Sequence, residues 1–129
     1  MVGWWDGGGA RTQDLTIPGK GPTPAFVTFA RLSGKVTTIA MVTGASFAGQ
    51  ANLSGLSDVV IAIYNATMGM AGPTLVAAAF GTWLKPDKIG SMNVHEAAGA
   101  IYILCPDEAG AIAAAQSIEG GPEPSRLQH

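Results

Sequence analysis

The chain has 129 residues, of which 47% are hydrophobic and only 12% charged, about half the charged share of an ordinary soluble domain. That composition excludes a disordered chain, a coiled coil and a collagen-like repeat. Seven Lys and Arg against nine Asp and Glu give a net charge of −2, which leaves no basic stripe for nucleic acid.

Val2 to Trp5 reads as a strand ending at Asp6, and Gly7-Gly8-Gly9 as a sharp turn. Ile17 to Thr23 reads as a loop, and Thr23-Pro24 as the start of a helix with Phe26, Phe29, Ala30 and Leu32 on its buried side and Gly34 as its stop. Val36 to Thr43 is a strand whose continuous apolar run, Ile39 to Val42, suits burial on both faces. Gly44 to Gly49 is expected to turn, and Gly49 to Leu56 to form a short helix. Val59 to Tyr64 and Thr67 to Met70 follow as strands. Gly72-Pro73 opens a helix closed by Gly81, and Pro86 to Ile89 makes one helical turn before Gly90. Ile101 to Leu104 is a short strand, and Pro106-Asp107-Glu108 starts an alanine-rich helix to Ile118 with its acids in the first turn.

This alternation points to an α/β layered fold. Residues 1–118 are expected to form the domain and 119–129 a disordered tail. The opening strand carries two adjacent tryptophans, Trp4 and Trp5, which face opposite sides. One of them should meet something beyond the chain itself, and the chain reads as the later part of a domain whose beginning is absent. The most apolar stretch, Val59 to Gly81, is interrupted by Tyr64, Asn65, Thr67, Gly69, Gly72 and Pro73, so no membrane span is expected. The single cysteine, Cys105, excludes an internal disulfide framework. With only two histidines beside it, no metal site is expected, and a cytoplasmic setting fits best.

Two strand-to-turn junctions could carry chemistry: Asp6-Gly7-Gly8-Gly9-Ala10-Arg11 and Gly44-Ala45-Ser46-Phe47-Ala48-Gly49-Gln50. Each follows an apolar strand and could open a helix, where backbone N–H groups are left without intrahelical partners. Two such corners facing each other would make a pocket for an oxygen that gains negative charge.

The residues at and around these corners resemble the carboxyltransferase (beta) subunit of biotin-dependent acyl-CoA carboxylases of the propionyl-CoA and acetyl-CoA type. Asp6 to Gln13 is similar to the family's D-S-G-G-A-R-x-Q, with Gly7 in place of Ser. Gly44, Gly49, Leu56, Ser57 and Asp58 fall in register with G-x-C-x-G-G-A and the later L-[ST]-D. Met70-Ala71-Gly72-Pro73 with Val76 and Ala78 resembles G-G-P-x-L-V-x-x-A-x-G. Gly90 and His95 resemble L-G-G-A-x-x-H, Gly99 the S-G that follows, and Asp107 to Ser117 the D-D-E-x-A-x-x-x-A helix. The resemblance covers Val2 to Glu119 and corresponds to the later part of the family's N-terminal half.

The resemblance implies an incomplete crotonase-like fold of β-β-α units in two stacked sheets. It implies transfer of a carboxyl group from carboxybiotin to the α-carbon of an acyl-CoA, through an enolate held by backbone donors. On this reading Ala10 and Gly49 are the catalytic donors. Gly9, Arg11, Ala48 and Gln50 surround the substrate: Gly9 and Ala48 assist the donors, Arg11 could meet CoA phosphates or pair with Asp6 or Asp14, and Gln50 stands beside the acyl pocket. The implied partners are acyl-CoA, a biotin carboxyl carrier or biotin carboxylase subunit, and either further copies of the chain or a separate chain supplying the C-terminal half. Ala48 and Gln50 depart from the family's Gly and Ala at the second corner.

Three other readings compete. Gly44-Ala45-Ser46-Phe47-Ala48 approaches a nucleophile elbow, with Ser46 followed by Asp58 or Asp87 and then His95 in hydrolase order. Val42 to Ser46 approaches a dinucleotide-binding turn, but Ala48 and Gln50 stand where that turn wants glycine. A catalytically inactive relative that serves as an oligomerising or partner-binding fragment is the third. His95 is expected to be a structural hydrogen-bonding residue.

Overall fold

The computed structural model describes residues 1–7 and 24–120. Its centre is β2 (Ile39–Phe47), the longest strand. Parallel to it on one side lies β1 (Val2–Gly7), and on the other β3 (Val59–Ile63), which in turn pairs with β5 (Ile103–Cys105). The strand β4 (Thr67–Gly69) branches off the C-terminal end of β2, with Ala45, Ser46 and Phe47 opposite Thr67, Met68 and Gly69. The fold is α/β and crotonase-like, built on a parallel sheet. The described strands form one branched sheet rather than two stacked ones, because β2 is long enough to pair with β3 over its first half and β4 over its last.

The continuous apolar run of β2 puts residues on both faces, as expected for a sheet covered on each side. Ala40 and Val42 face one side with their register partners Val60 and Ala62, together with Met68 and Met92. Ile39 and Met41 face the other with Ile61 and Cys105. That second face is covered by α6 (Glu108–Glu119), whose Ala111, Ala115 and Ile118 share one helical face. Asp107 caps α6, its carboxylate accepting from the Gly110 N–H at 2.8 Å. Burial raises the Cys105 thiol pKa, with the Asp107 charge adding to the effect.

The first face is covered by α2 (Gly49–Gly55) and α5 (Met92–Ala97), the latter not anticipated from the sequence. Trp5 packs here and meets Phe29 of α1 (Pro24–Ala30) edge-on, with ring centroids 6.3 Å apart. Trp4 faces the other way, 51% exposed, and its indole N–H donates to the Thr43 hydroxyl.

At the sheet's opposite end, Asp58 ties β3 to β2. Its carboxylate accepts from the Thr38 amide and hydroxyl, both at 2.8 Å. The helix α4 (Pro86–Gly90) is pressed against β4: Gly90 has no room for a Cβ beside the Met68 carbonyl oxygen, to which His95 Nε2 donates at 2.7 Å. The helix α3 (Pro73–Phe80), closed by Gly81 in a left-handed conformation (φ 68°), contains no buried residue.

Among the described residues no helix is long and apolar enough to cross a membrane. The helix α6 runs one residue into the expected tail, and the Glu119 carboxylate lies 3.3 Å from the Met1 amino group. Residues 121–129 lie outside the described residues.

Candidate active site

The strand ends that lead into the two corners singled out in the sequence stand at the same end of the sheet. They belong to adjacent parallel strands, β1 and β2, and Gly7 at the end of β1 is the register partner of Ser46. The register shifts there: Thr43, Gly44 and Ala45 of β2 stand opposite the single residue Asp6 of β1, so the bulge and its kink belong to β2. Behind the kink, the Asp6 carboxylate occupies the space a Cβ on Gly44 would need, which explains a glycine inside β2. Gly9, Ala10 and Arg11 fall outside the described residues.

At the second corner the chain does not turn across Gly44 to Gly49 as expected. The strand continues to Phe47, and the direction change is concentrated in Ala48, at φ 55° and ψ −119°. It is the one residue other than glycine with positive φ among those described. An L-residue is strained there by about 1–3 kcal/mol, and such strain concentrates at functional corners. Gly at this position, as in the family pattern, would carry no such strain.

The Ala48 N–H donates to the Gly69 carbonyl at 3.0 Å, and the Ala48 carbonyl accepts from Asn52. Ala48 therefore shapes the corner rather than offering the donor expected of it. The amides of Gly49 and Gln50, the first two residues of α2, have no acceptor among the described residues, and no side chain caps the helix. The adjacent amides without acceptors among the described residues are therefore those of Gly49 and Gln50, not the expected pair Ala48 and Gly49. Gly49 has little side-chain space, since a Cβ there would lie 3.2 Å from Phe26 Cζ.

The Gln50 side chain folds back over β1. Its carboxamide fills the space of a Cβ on Gly7, and its Oε1 is buried with no hydrogen-bond partner among the described residues. On the other side of α2, Phe26, Ala51, Asn52, Gly55, Leu56 and Met70 line an open cleft of about 530 Å³.

The nucleophile reading of Ser46 is overturned. Ser46 is fully buried inside β2, two residues before the elbow, and His95 is engaged with Met68. The bend that would expose a nucleophile carries Ala48, which has no nucleophilic atom. His95 has the structural role expected of it. What remains is a strand, a strained bend and a helix start whose first amides have no acceptor among the described residues, beside the end of a second parallel strand. Such a corner can bind an oxygen that carries or acquires negative charge.

The sequence profile of the carboxyl transferase domain matches residues 1–124, and the chain belongs to that family. Over 106 residues it is 29% identical to the methylmalonyl-CoA carboxyltransferase 12S subunit of Propionibacterium freudenreichii subsp. shermanii, covering 81% of this chain and 20% of that protein. It is 29% identical over 113 residues to the propionyl-CoA carboxylase beta chain of Rhodococcus erythropolis, covering 87% and 24%. The chain thus spans a fifth to a quarter of the length of these relatives.

Among solved structures, 91% of the chain superposes on the transcarboxylase 12S hexamer with methylmalonyl-coenzyme A bound (TM-score 0.78, 27% identity, 23% of that chain). It superposes equally on a single-chain, multi-domain long-chain acyl-CoA carboxylase (TM-score 0.77, 34% identity, 91% of this chain and 12% of that one).

Proposed function

We propose that this chain binds an acyl-CoA so that its thioester oxygen sits at the Ala48–Gln50 corner, and supports carboxyl transfer to the acyl α-carbon. The observation that carries the reading is the strained Ala48 bend, which leaves the Gly49 and Gln50 amides without acceptors among the described residues. Family membership supports the reaction class.

In chemical terms, loss of the α-proton turns the thioester carbonyl into an enolate oxygen, and backbone donors fixed in place stabilise that charge without reorganising. A bound carboxyl donor would supply the carboxyl group to the α-carbon, its freed nitrogen taking up a proton in exchange for the one the α-carbon loses. Carboxybiotin, carried by a partner protein, is the donor we assign. The Gly49 and Gln50 amides, without acceptors among the described residues, fit an anionic oxygen, and each donor of this kind is worth roughly 2.7–4 kcal/mol to the transition state. Gly9 and Ala10 are assigned as the opposing donors and Arg11 as a contact for CoA phosphate.

The test uses two substitutions at one position. Gly49→Ala and Gly49→Pro place the same Cβ beside Phe26, but only proline removes the N–H, at a first helical position where proline is accommodated. Calorimetric titration with an acyl-CoA should show the alanine variant binding close to wild type and the proline variant about tenfold more weakly. Equal affinities in the two variants would remove Gly49 from the site.

A second reading, a fragment that acts by association, is favoured by a specific observation. Phe80 and Trp83 are 80% and 65% exposed at the end of a helix with no buried residue, an apolar surface of the kind that marks interaction sites. Light scattering of the purified chain tests it: a monomer at high concentration speaks against self-association, and defined oligomers support it.

A further inference from the structure

The cleft along α2 lies outside what the family resemblance assigns, and it is continuous with the candidate site. At its inner end, Phe26 Cζ lies 3.2 Å from the position of a Gly49 Cβ. Met70, on the same wall, directly follows Gly69, whose carbonyl holds the Ala48 amide. The opposite wall is a single face of α2, formed by Ala51, Asn52, Gly55 and Leu56. Among the described residues the lining is apolar except for Asn52, and the cleft's volume of about 530 Å³ is in the range of small-molecule sites. Met70 and Leu56 are 63% and 47% exposed, so two large apolar side chains meet water at this mouth. The other side of the corner is closed, because the Gln50 carboxamide fills the space above Gly7.

We infer, on the basis of the site proposed above, that this cleft takes the acyl chain of the substrate and selects apolar acyl groups longer than propionyl. With the thioester oxygen on the Gly49 amide, Gln50 bars a chain from the β1 side, and the Phe26–Met70 side is the open apolar path. The amide-rich pantetheine arm of CoA suits the cleft poorly, since among the described residues Asn52 is the one polar side chain there to pair with it.

The experiment titrates CoA, propionyl-CoA and octanoyl-CoA into the wild-type chain and into a Leu56→Gln, Met70→Gln double variant. Both positions are exposed, so the fold should be retained; circular dichroism checks this. Wild type should bind octanoyl-CoA at least roughly tenfold more tightly than propionyl-CoA, a modest return on the added methylenes. The double variant should reduce that preference to about twofold or less. Equal affinity for both thioesters in wild type, with both tighter than CoA, overturns the acyl cleft and leaves the site reading standing. An undiminished preference in the double variant also overturns the cleft. A uniform loss for CoA and both thioesters in the variant places the pantetheine arm in the cleft and overturns the acyl assignment. If no thioester binds more tightly than CoA, the site reading itself fails, and the cleft fails with it.

Discussion

The carboxamide of Gln50 occupies the space that a Cβ on Gly7 would take. Both positions depart from the carboxyltransferase pattern, which has Ser at the first and Ala at the second, and the departures are complementary: volume removed from β1 is returned by α2. Restoring serine alone should therefore crowd the corner. Because the intruding atoms are the end of a flexible side chain, Gly7→Ser should cost only about 1 kcal/mol, with Gln50 swinging aside. In a Gln50→Ala background the same change should cost close to nothing. Denaturant unfolding of the four chains measures the coupling, and strict additivity would show that the two residues do not share this space.

The Ala48 bend predicts a stabilising substitution. Ala48→Gly removes the strain of a Cβ at φ 55°, offset by the greater freedom of glycine in the unfolded chain. The net gain should be about 1 kcal/mol in chemical denaturation, with acyl-CoA binding retained. A loss of stability would mean that the bend is not strained.

The attachment of α4 and α5 to β4 should be intolerant of change. Gly90→Ala drives a Cβ into the Met68 carbonyl, where backbone rather than a movable side chain stands in the way, so a loss of about 3 kcal/mol or more is expected. His95→Ala deletes the donor to the same carbonyl and should cost about 1–3 kcal/mol. Since β4 also holds the Ala48 amide through Gly69, both variants should weaken acyl-CoA binding as well, measurable by calorimetry beside thermal unfolding.

Acid should loosen the Thr38–Asp58 tie. The Thr38 amide, and then its hydroxyl, hold the Asp58 carboxyl below the ordinary carboxylate range, with desolvation opposing them. A depressed carboxylate adds stability that is fully present above its unfolded pKa of about 4 and disappears as pH falls through the folded value. Asp58→Asn should therefore melt below wild type at pH 7, and the gap should close as pH is lowered below about 4. A gap that persists unchanged at pH 2.5 would contradict the assignment.

Much of the scaffold was legible because its signals are local. The apolar run Ile39 to Val42 announced a strand covered on both faces, and Asp107 announced the start of α6. The second corner was misplaced for a tertiary reason: Gly44 and Ser46 favour turns by composition, yet β2 runs through them because Asp6 packs on Gly44 and Ser46 pairs with both Gly7 and Met68. The donors themselves leave no mark in the sequence, since every residue but proline carries an amide. Only the structure shows that the Ala48 amide is spent on Gly69 while those of Gly49 and Gln50 have no acceptor among the described residues. The exchange between Gly7 and Gln50 was invisible for a similar reason, being a contact between distant positions, each of which looks like an isolated departure.

Two corners, one after each of two neighbouring strands, are proposed to hold one thioester oxygen. Amide spectra of the ¹⁵N-labelled chain titrated with an acyl-CoA test this most directly, with the thioether analogue lacking the carbonyl oxygen as control. The account predicts that the Gly49 and Ala10 amide signals shift together with the thioester and stay in place with the thioether. If neither moves with the thioester, or if both move equally with the thioether, these amides do not hold the oxygen and the proposed chemistry is wrong.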